Sequence, residues 1–380
     1  MLDTVNLAIE LMRQPSVTPD GGSCFDLIAS WLEPLGFRII RQTFHEHGTY
    51  DTENFYARLG DTGPNVCFAG HVDVVPPGDV DAWSTPPFEP EIRKNYLYGR
   101  GAEDMKGAIA AMIAAAAKYT ATPYSHTGSI SFLFTADEEG SAINGTRKML
   151  GWLYEQGEAI DYCIVGEPTN PENVGDMAKI GRRGSINATL TVKGVQGHVA
   201  YPERASNPIT LLLAMLVRLK SSELDTGSEF FPPSNLEITT IDVGNPSENT
   251  IPARATAKFN IRFNDHYSGV ALEQWIRAQC DMIGGDYTLA IRISGESFLS
   301  PPGLLSDALV KAVKHVTGRI PELSTTGGTS DARFIKDFCP VIEFGTTGLT
   351  PHQVDERVSL EALKQLTEIY HQLIVILLSR

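Results

Sequence analysis

The chain has 380 residues, 42% of them hydrophobic and 20% charged, and a formal net charge of −15. That length suits two globular domains at roughly 100–200 residues each. The acidic balance excludes nucleic acid as a partner, because phosphate binding needs clustered Lys and Arg, and the longest apolar run, Ala108–Ala117, is too short for a membrane span. The opening stretch Met1–Glu10 has no basic start followed by an apolar segment, so no signal peptide is expected. The five cysteines (Cys24, Cys67, Cys163, Cys280 and Cys339) include no CxxC pair, which argues against a disulfide framework or a thiolate metal site. A cytoplasmic location is expected.

In chain order, Asp3–Arg13 and Cys24–Leu35 carry apolar residues at helical spacing. Asn65–Ala69, Ser129–Thr135 and Tyr162–Val165 are short apolar runs followed by turn residues, the pattern of buried parallel strands. Met105–Tyr119 is dominated by alanine and reads as a helix. The middle of the chain changes character. Ser185–Val192 alternates like a strand, Ala205–Lys220 reads as a helix, Leu236–Val243 and Ala255–Phe263 alternate again, Val270–Ile283 is a second helix, and Tyr287–Ile293 a last strand. The order βαββαβ is ferredoxin-like. Leu305–Thr317, the strand Pro340–Phe344 and the helix Leu360–Leu378 then resume the first pattern. The expected fold is α/β: a doubly wound, mainly parallel sheet in residues 1–178 and 294–380, with an inserted ferredoxin-like domain at 179–293.

Metal-binding residue types fall where these strands end. Asn65–Ala69 runs into Gly70-His71-Val72-Asp73, Ser129–Thr135 into Asp137-Glu138-Glu139, and Tyr162–Val165 into Gly166-Glu167-Pro168. The strand Pro340–Phe344 precedes a loop with His352, and Asp104 opens the alanine-rich helix. Open α/β sheets bind ligands beyond the carboxyl ends of their strands. Taken singly, each residue reads as an ordinary strand-end or helix-capping group. Together, His71, Asp104, Glu139, Glu167 and His352 suit two divalent ions bridged by one carboxylate. Without Cys ligands the ions are Zn²⁺ by default, with Co²⁺ or Mn²⁺ as alternatives. Such ions acidify water, and a carboxylate must still move its protons. In Glu138-Glu139, one residue can ligate while its neighbour serves as base. Asp73, two residues beyond His71, is placed to orient that imidazole.

The segments Gly70–Pro76, Gly99–Gly107, Asp137–Gly140 and Gly166–Pro168, with the late His352, resemble the co-catalytic metallopeptidase family that includes the aminoacylases. The resemblance spans nearly the whole chain. It implies His71 and Glu167 as terminal ligands, one per metal, Glu139 and His352 as ligands on opposite metals, Asp104 as the bridge and Glu138 as general base.

Within the family, Gly181–Ser185, Gly194–Pro202 and Ser324–Phe334 resemble the members that cleave N-succinyl-L,L-2,6-diaminopimelate, with deacylation of acetylornithine or another N-acyl amino acid as the alternative. An acidic substrate agrees with the chemistry. Arg182 and Arg262 can offer bidentate forks to carboxylates, and Gly328 and Thr329 can offer N–H and hydroxyl donors. Ser185, Tyr201 and Asn249 complete the candidate substrate contacts. The stretch Thr346–Gln353 departs from the Thr-Ile-His-Lys context common around the late His of these relatives. The resemblance further implies a homodimer through the inserted domain, with His198 and Asn249 reaching the partner's site.

Overall fold

The computed structural model describes residues 2–122 and 127–378. The chain forms two compact units. The first comprises Met1–Ile180, Ser300–Ser324 and Ser330–Arg380; the second comprises Gly181–Leu299 and Thr325–Thr329. The second unit thus runs beyond the boundary expected near 293 and takes in five residues of the Ser324–Phe334 stretch.

The first unit holds an eight-stranded mixed sheet. Its strands lie in the order Arg38–Phe44, Thr52–Leu59, Ser129–Thr135, Asn65–His71, Tyr162–Val165, Val341–Glu343, Met177–Lys179 and Glu322–Ser324. The four strands expected to deliver metal ligands are consecutive neighbours, paired parallel throughout. Asn65–His71 and Ser129–Thr135 are buried at every residue, as continuous apolar runs with helices on both faces should be. The helix Gly107–Thr120 packs against Leu360–Leu378 and is buried on nearly all sides, which its alanines permit by keeping the backbones close. The strands Arg38–Phe44 and Thr52–Leu59 and the helix Thr146–Glu155 were not anticipated.

The expected helix start at Met105 is corrected. The regular helix begins at Gly107, and the preceding turn Ala102–Lys106 is interrupted at Asp104 (φ −120°, ψ 95°) and Met105 (φ −132°, ψ 29°). Asp104 therefore sits in a kink, with its backbone turned out of the helical path. Met105 folds back over the sheet, so that a Cβ at Gly70 would lie 2.2 Å from Met105 Cε. A larger residue at position 70 would displace the end of the Met105 side chain.

The second unit is an antiparallel four-stranded sheet in the order Asn235–Asp242, Arg254–Phe263, Gly184–Lys193 and Asp286–Gly295, with helices Pro208–Ser221 and Gly269–Asp281. Alternate residues Ile186, Ala188, Leu190 and Val192 face a core closed by Leu212, Leu216, Leu272 and Ile276. This is the ferredoxin-like order. Among the described residues no helix is long and apolar enough to cross a membrane.

Candidate metal centre

His71 ends its strand and is 1% exposed. Its Nδ1 lies 2.9 Å from the backbone carbonyl of Asp73. A carbonyl can only accept, so Nδ1 carries a hydrogen, and Nε2 is the nitrogen that faces the carboxylates. That Nε2 faces Asp104 Oδ1 at 3.1 Å and Glu167 Oε1 at 3.7 Å. On the other side of Asp104, Oδ2 lies 3.2 Å from His352 Nε2, and His352 Nε2 lies 3.0 Å from Glu139 Oε1. The two oxygens of one carboxylate thus address two imidazoles.

All five expected ligands converge here. His71 lies beside Glu167 and His352 beside Glu139, on either side of Asp104. The His71 strand stands between the strands that lead to Glu139 and Glu167. Glu138 also comes into range. Single ligand atoms of His71, Glu138 and Glu167 lie within 4.8 Å of one another, as do those of His71, Asp104 and Glu139.

Asp73 does not orient His71 through its carboxylate, as the spacing suggested. That carboxylate is 3.7 Å from Nδ1 and instead accepts from the backbone N–H groups of Glu138 (3.3 Å) and Glu139 (3.1 Å). It positions the acidic pair; the Asp73 carbonyl orients the imidazole. Burial pushes the Asp73 carboxyl up to about 6.

The electrostatics are those of crowded anions. Burial, with Glu167 next, pushes Glu138 well above the carboxylate range. Burial opposes charging His71, yet the Asp104 carboxylate beside it outweighs that and holds the imidazole well above its usual value. Hydrogen bonding to Asp104 and then Glu139 pushes His352 up to about 10. Burial opposes ionisation of Asp104, but the two imidazoles pull it well below its usual value. The converging carboxylates repel one another and draw positive charge onto both imidazoles, charge that a bound cation would supply in place of the protons. Both features fit divalent cations with nitrogen and oxygen ligands.

The model of peptidase family M20/M25/M40 matches residues 67–375. The chain belongs to this family. It is 56% identical over 368 residues to the succinyl-diaminopimelate desuccinylase of Rhodospirillum centenum, covering 97% of this chain and 95% of that one. Among solved structures it is similar to the aminopeptidase PepT of Bacillus cereus, with a TM-score of 0.79, 18% identity and 98% of each chain covered. It is also similar to the Bacillus subtilis YXEP protein, a dinuclear metal binding peptidase from the M20 family, with a TM-score of 0.72, 17% identity, and coverage of 99% and 98%.

The other candidate residues of this M20/M25/M40 member lie in the second unit. Ser185 and Arg262 are register partners on adjacent strands, and Asn260 Nδ2 donates to Ser185 Oγ at 3.2 Å. Arg182 is 7% exposed, and its Nη1 donates to Thr326 O at 3.3 Å, in the segment that also holds Gly328 and Thr329. Burial lowers the Arg262 guanidinium somewhat from its usual value. His198 and Asn249 are exposed on the two sides of a short ribbon, where Val199 N donates to Asn249 O at 3.1 Å. The His198 and Tyr201 rings are 5.7 Å apart.

Sequence reasoning missed several buried acids around the metal-ligand loops. Asp137 accepts from Tyr50 Oη (2.6 Å) and from the N–H groups of Ala142, Ile143 and Asn144, fixing the turn after the acidic pair. Asp331 is 4% exposed, accepts from Thr146 Oγ1 at 2.6 Å, and its charge is felt at Glu138. Glu103 and Glu356 are buried beside Asp104. Asp137 and Asp331 stood inside quoted motifs; Glu356 carried no signal.

Proposed function

We propose that this M20/M25/M40 member is a two-metal amide hydrolase that cleaves N-succinyl-L,L-2,6-diaminopimelate to succinate and L,L-2,6-diaminopimelate, in lysine and diaminopimelate biosynthesis. The observation that carries the reaction type is Asp104, one carboxylate shared between two histidine–carboxylate pairs, with a further half-buried acid, Glu138, in reach. The acyl group follows from the relatives named desuccinylase, which match this chain at up to 56% identity over nearly its whole length. His71, Glu167, Asp104, Glu139 and His352 would hold the ions, zinc first and cobalt or manganese as alternatives. When bound, such a pair polarises the amide carbonyl and acidifies water.

The chain's own residues do the rest. Glu138 accepts a proton from the attacking water and returns it to the leaving amine nitrogen as the amide C–N bond breaks. Asp73 holds the Glu138 backbone in place for that transfer. Arg182 and Arg262 bind substrate carboxylates, with Ser185, Tyr201, Gly328 and Thr329 as further contacts. His198 and Asn249 donate toward the amide oxygen, where negative charge builds. We assign that last pair to a second copy of the chain, in a homodimer joined through the inserted domain. Both side chains are exposed in the single chain, and the four-stranded sheet presents open edges. Five unpaired cysteines suit the reducing cytoplasm.

The deciding experiment is a substrate panel on zinc-reconstituted protein. We expect kcat/KM for N-succinyl-L,L-2,6-diaminopimelate to exceed that for acetylornithine by orders of magnitude, and a strong chelator to abolish both. Equal or better cleavage of acetylornithine would replace the specificity reading, and full activity in metal-free protein would end the two-metal reading.

A further inference from the structure

The loop with Asp104 and the loop with His352 are each held by a buried carboxylate belonging to the other. Glu103, 1% exposed, immediately precedes Asp104. Its Oε1 accepts a short hydrogen bond from Thr347 Oγ1, and its Oε2 accepts from Thr350 N (2.5 Å) and Thr350 Oγ1 (2.7 Å). In the reverse direction, Glu356 lies four residues beyond His352 and is 0% exposed. Its Oε1 accepts from the N–H groups of Glu103 (2.9 Å) and Asp104 (3.1 Å). Its Oε2 accepts from Gly101 N (3.0 Å) and from Arg100 Nη1 (2.8 Å).

Two ionisable side chains are thus buried where neither is among the ligands. Burying a carboxylate is costly unless donors surround it, and here both have three or four. What they hold is not a relaxed backbone. His352 has φ +62° and Asp355 φ +58°, left-handed values that non-glycine residues keep only where their surroundings over-determine them.

We propose that Glu103 and Glu356 form a reciprocal clamp, a pair of positioning residues that set Asp104 and His352 at the separation at which both reach one divalent cation. The proposal rests on the reading of Asp104 and His352 as ligands. Because one separation of the two loops has to satisfy both sets of bonds, both carboxylates are needed to hold it, and loss of either releases it. Loss of the two carboxylates' contacts is therefore not additive in its effect on metal binding.

The test is equilibrium dialysis of the full chain against buffered Zn²⁺, with the thermal midpoint of the metal-free protein as a fold control. In Glu356→Gln one amide cannot accept from four donors. In Thr347→Val/Thr350→Val the hydroxyls on Glu103 are removed at little change of shape. We expect wild type to take up two Zn²⁺, and each variant to bind one of them about 10–100-fold more weakly. The combined variant should be no weaker than its weaker parent, and the metal-free threonine variant should unfold in one cooperative transition, at a midpoint lowered by the donors lost to Glu103. If Glu356→Gln does not fold because Arg100 is left unpaired, the threonine variant decides alone. Two zinc ions at wild-type affinity in a folded variant, or losses that multiply when combined, would overturn the clamp. A wild type that takes up no zinc would overturn the ligand reading and the clamp with it.

Discussion

Which nitrogen of His71 carries the proton decides what the site can hold. With Nδ1 committed to the Asp73 carbonyl at 2.9 Å, Nε2 is the nitrogen that faces the carboxylates and is free to take a cation in place of a proton. The same reasoning separates the neighbours Glu138 and Glu139. Glu139 Oε1 lies 3.0 Å from His352 Nε2, in the second histidine–carboxylate pair. Glu138 stands near Glu167 and His71. If Glu138 is the base, Glu138→Gln keeps both zinc ions, because it removes no ligand. Its turnover falls by about 10²–10⁴, the share that positioned proton transfer supplies. Single-turnover kinetics with elemental analysis check this; a variant that loses a zinc ion while turning over normally reverses the two roles.

At the scale of elements, the sheet succeeds as a scaffold because its central strands are buried on both faces and cannot slip without exposing apolar rows. The helix Leu360–Leu378 covers it and carries one polar misfit. His371 is 5% exposed, neither ring nitrogen has a hydrogen-bond partner among the described residues, and Nδ1 is 3.6 Å from Glu368 Oε1, too far to bond. Burial first, and Lys118 next, lower its pKa from the usual imidazole value. The folded chain thus keeps His371 neutral at a pH where the unfolded chain's histidine, titrating near 6.5, takes a proton. Stability from this group is present above about pH 6.5 and is lost as pH falls below it. Denaturant midpoints of chelated protein should therefore drop more between pH 7 and pH 5 for wild type than for His371→Leu. Equal drops would show that His371 accepts its proton in the folded state.

For the whole molecule, the proposed homodimer makes a sharp demand. If His198 and Asn249 act on the partner's metal centre while Glu138 acts on its own, His198→Ala and Glu138→Gln homodimers are both nearly inactive. Dimers mixing the two chains regain up to one working site, built from the wild-type His198 of one chain and the wild-type Glu138 of the other. Co-expression with two affinity tags and a kcat measurement on the doubly purified species reads this out. Mixed dimers that form and stay inactive, or a fully active monomer by light scattering, would exclude action in trans.

Much of this protein was legible in one dimension, and the reason is periodicity. Buried parallel strands leave continuous apolar runs, and Ser129–Thr135 and Tyr162–Val165 span the residues expected of them. Ligands placed where strands end need no long-range information, so the residues gathered around Asp104 could be named from spacing and residue type. The strand Arg38–Phe44 was not legible: its charged residues follow from a position at the sheet edge, which only the assembled sheet defines. Nor could sequence assign Asp73 to the backbone of Glu138 and Glu139, pair His71 with Glu167, or mark Glu356, in an ordinary-looking Asp-Glu-Arg run, as a cap on the Asp104 loop. Those are contacts between segments up to about 250 residues apart, such as Glu356 and Asp104, and their partners are backbone N–H groups, which every residue but proline offers alike. Residue type determined what could bind a metal; tertiary structure alone decided which carboxylates face the metal-ligand cluster and which hold the loops that form it.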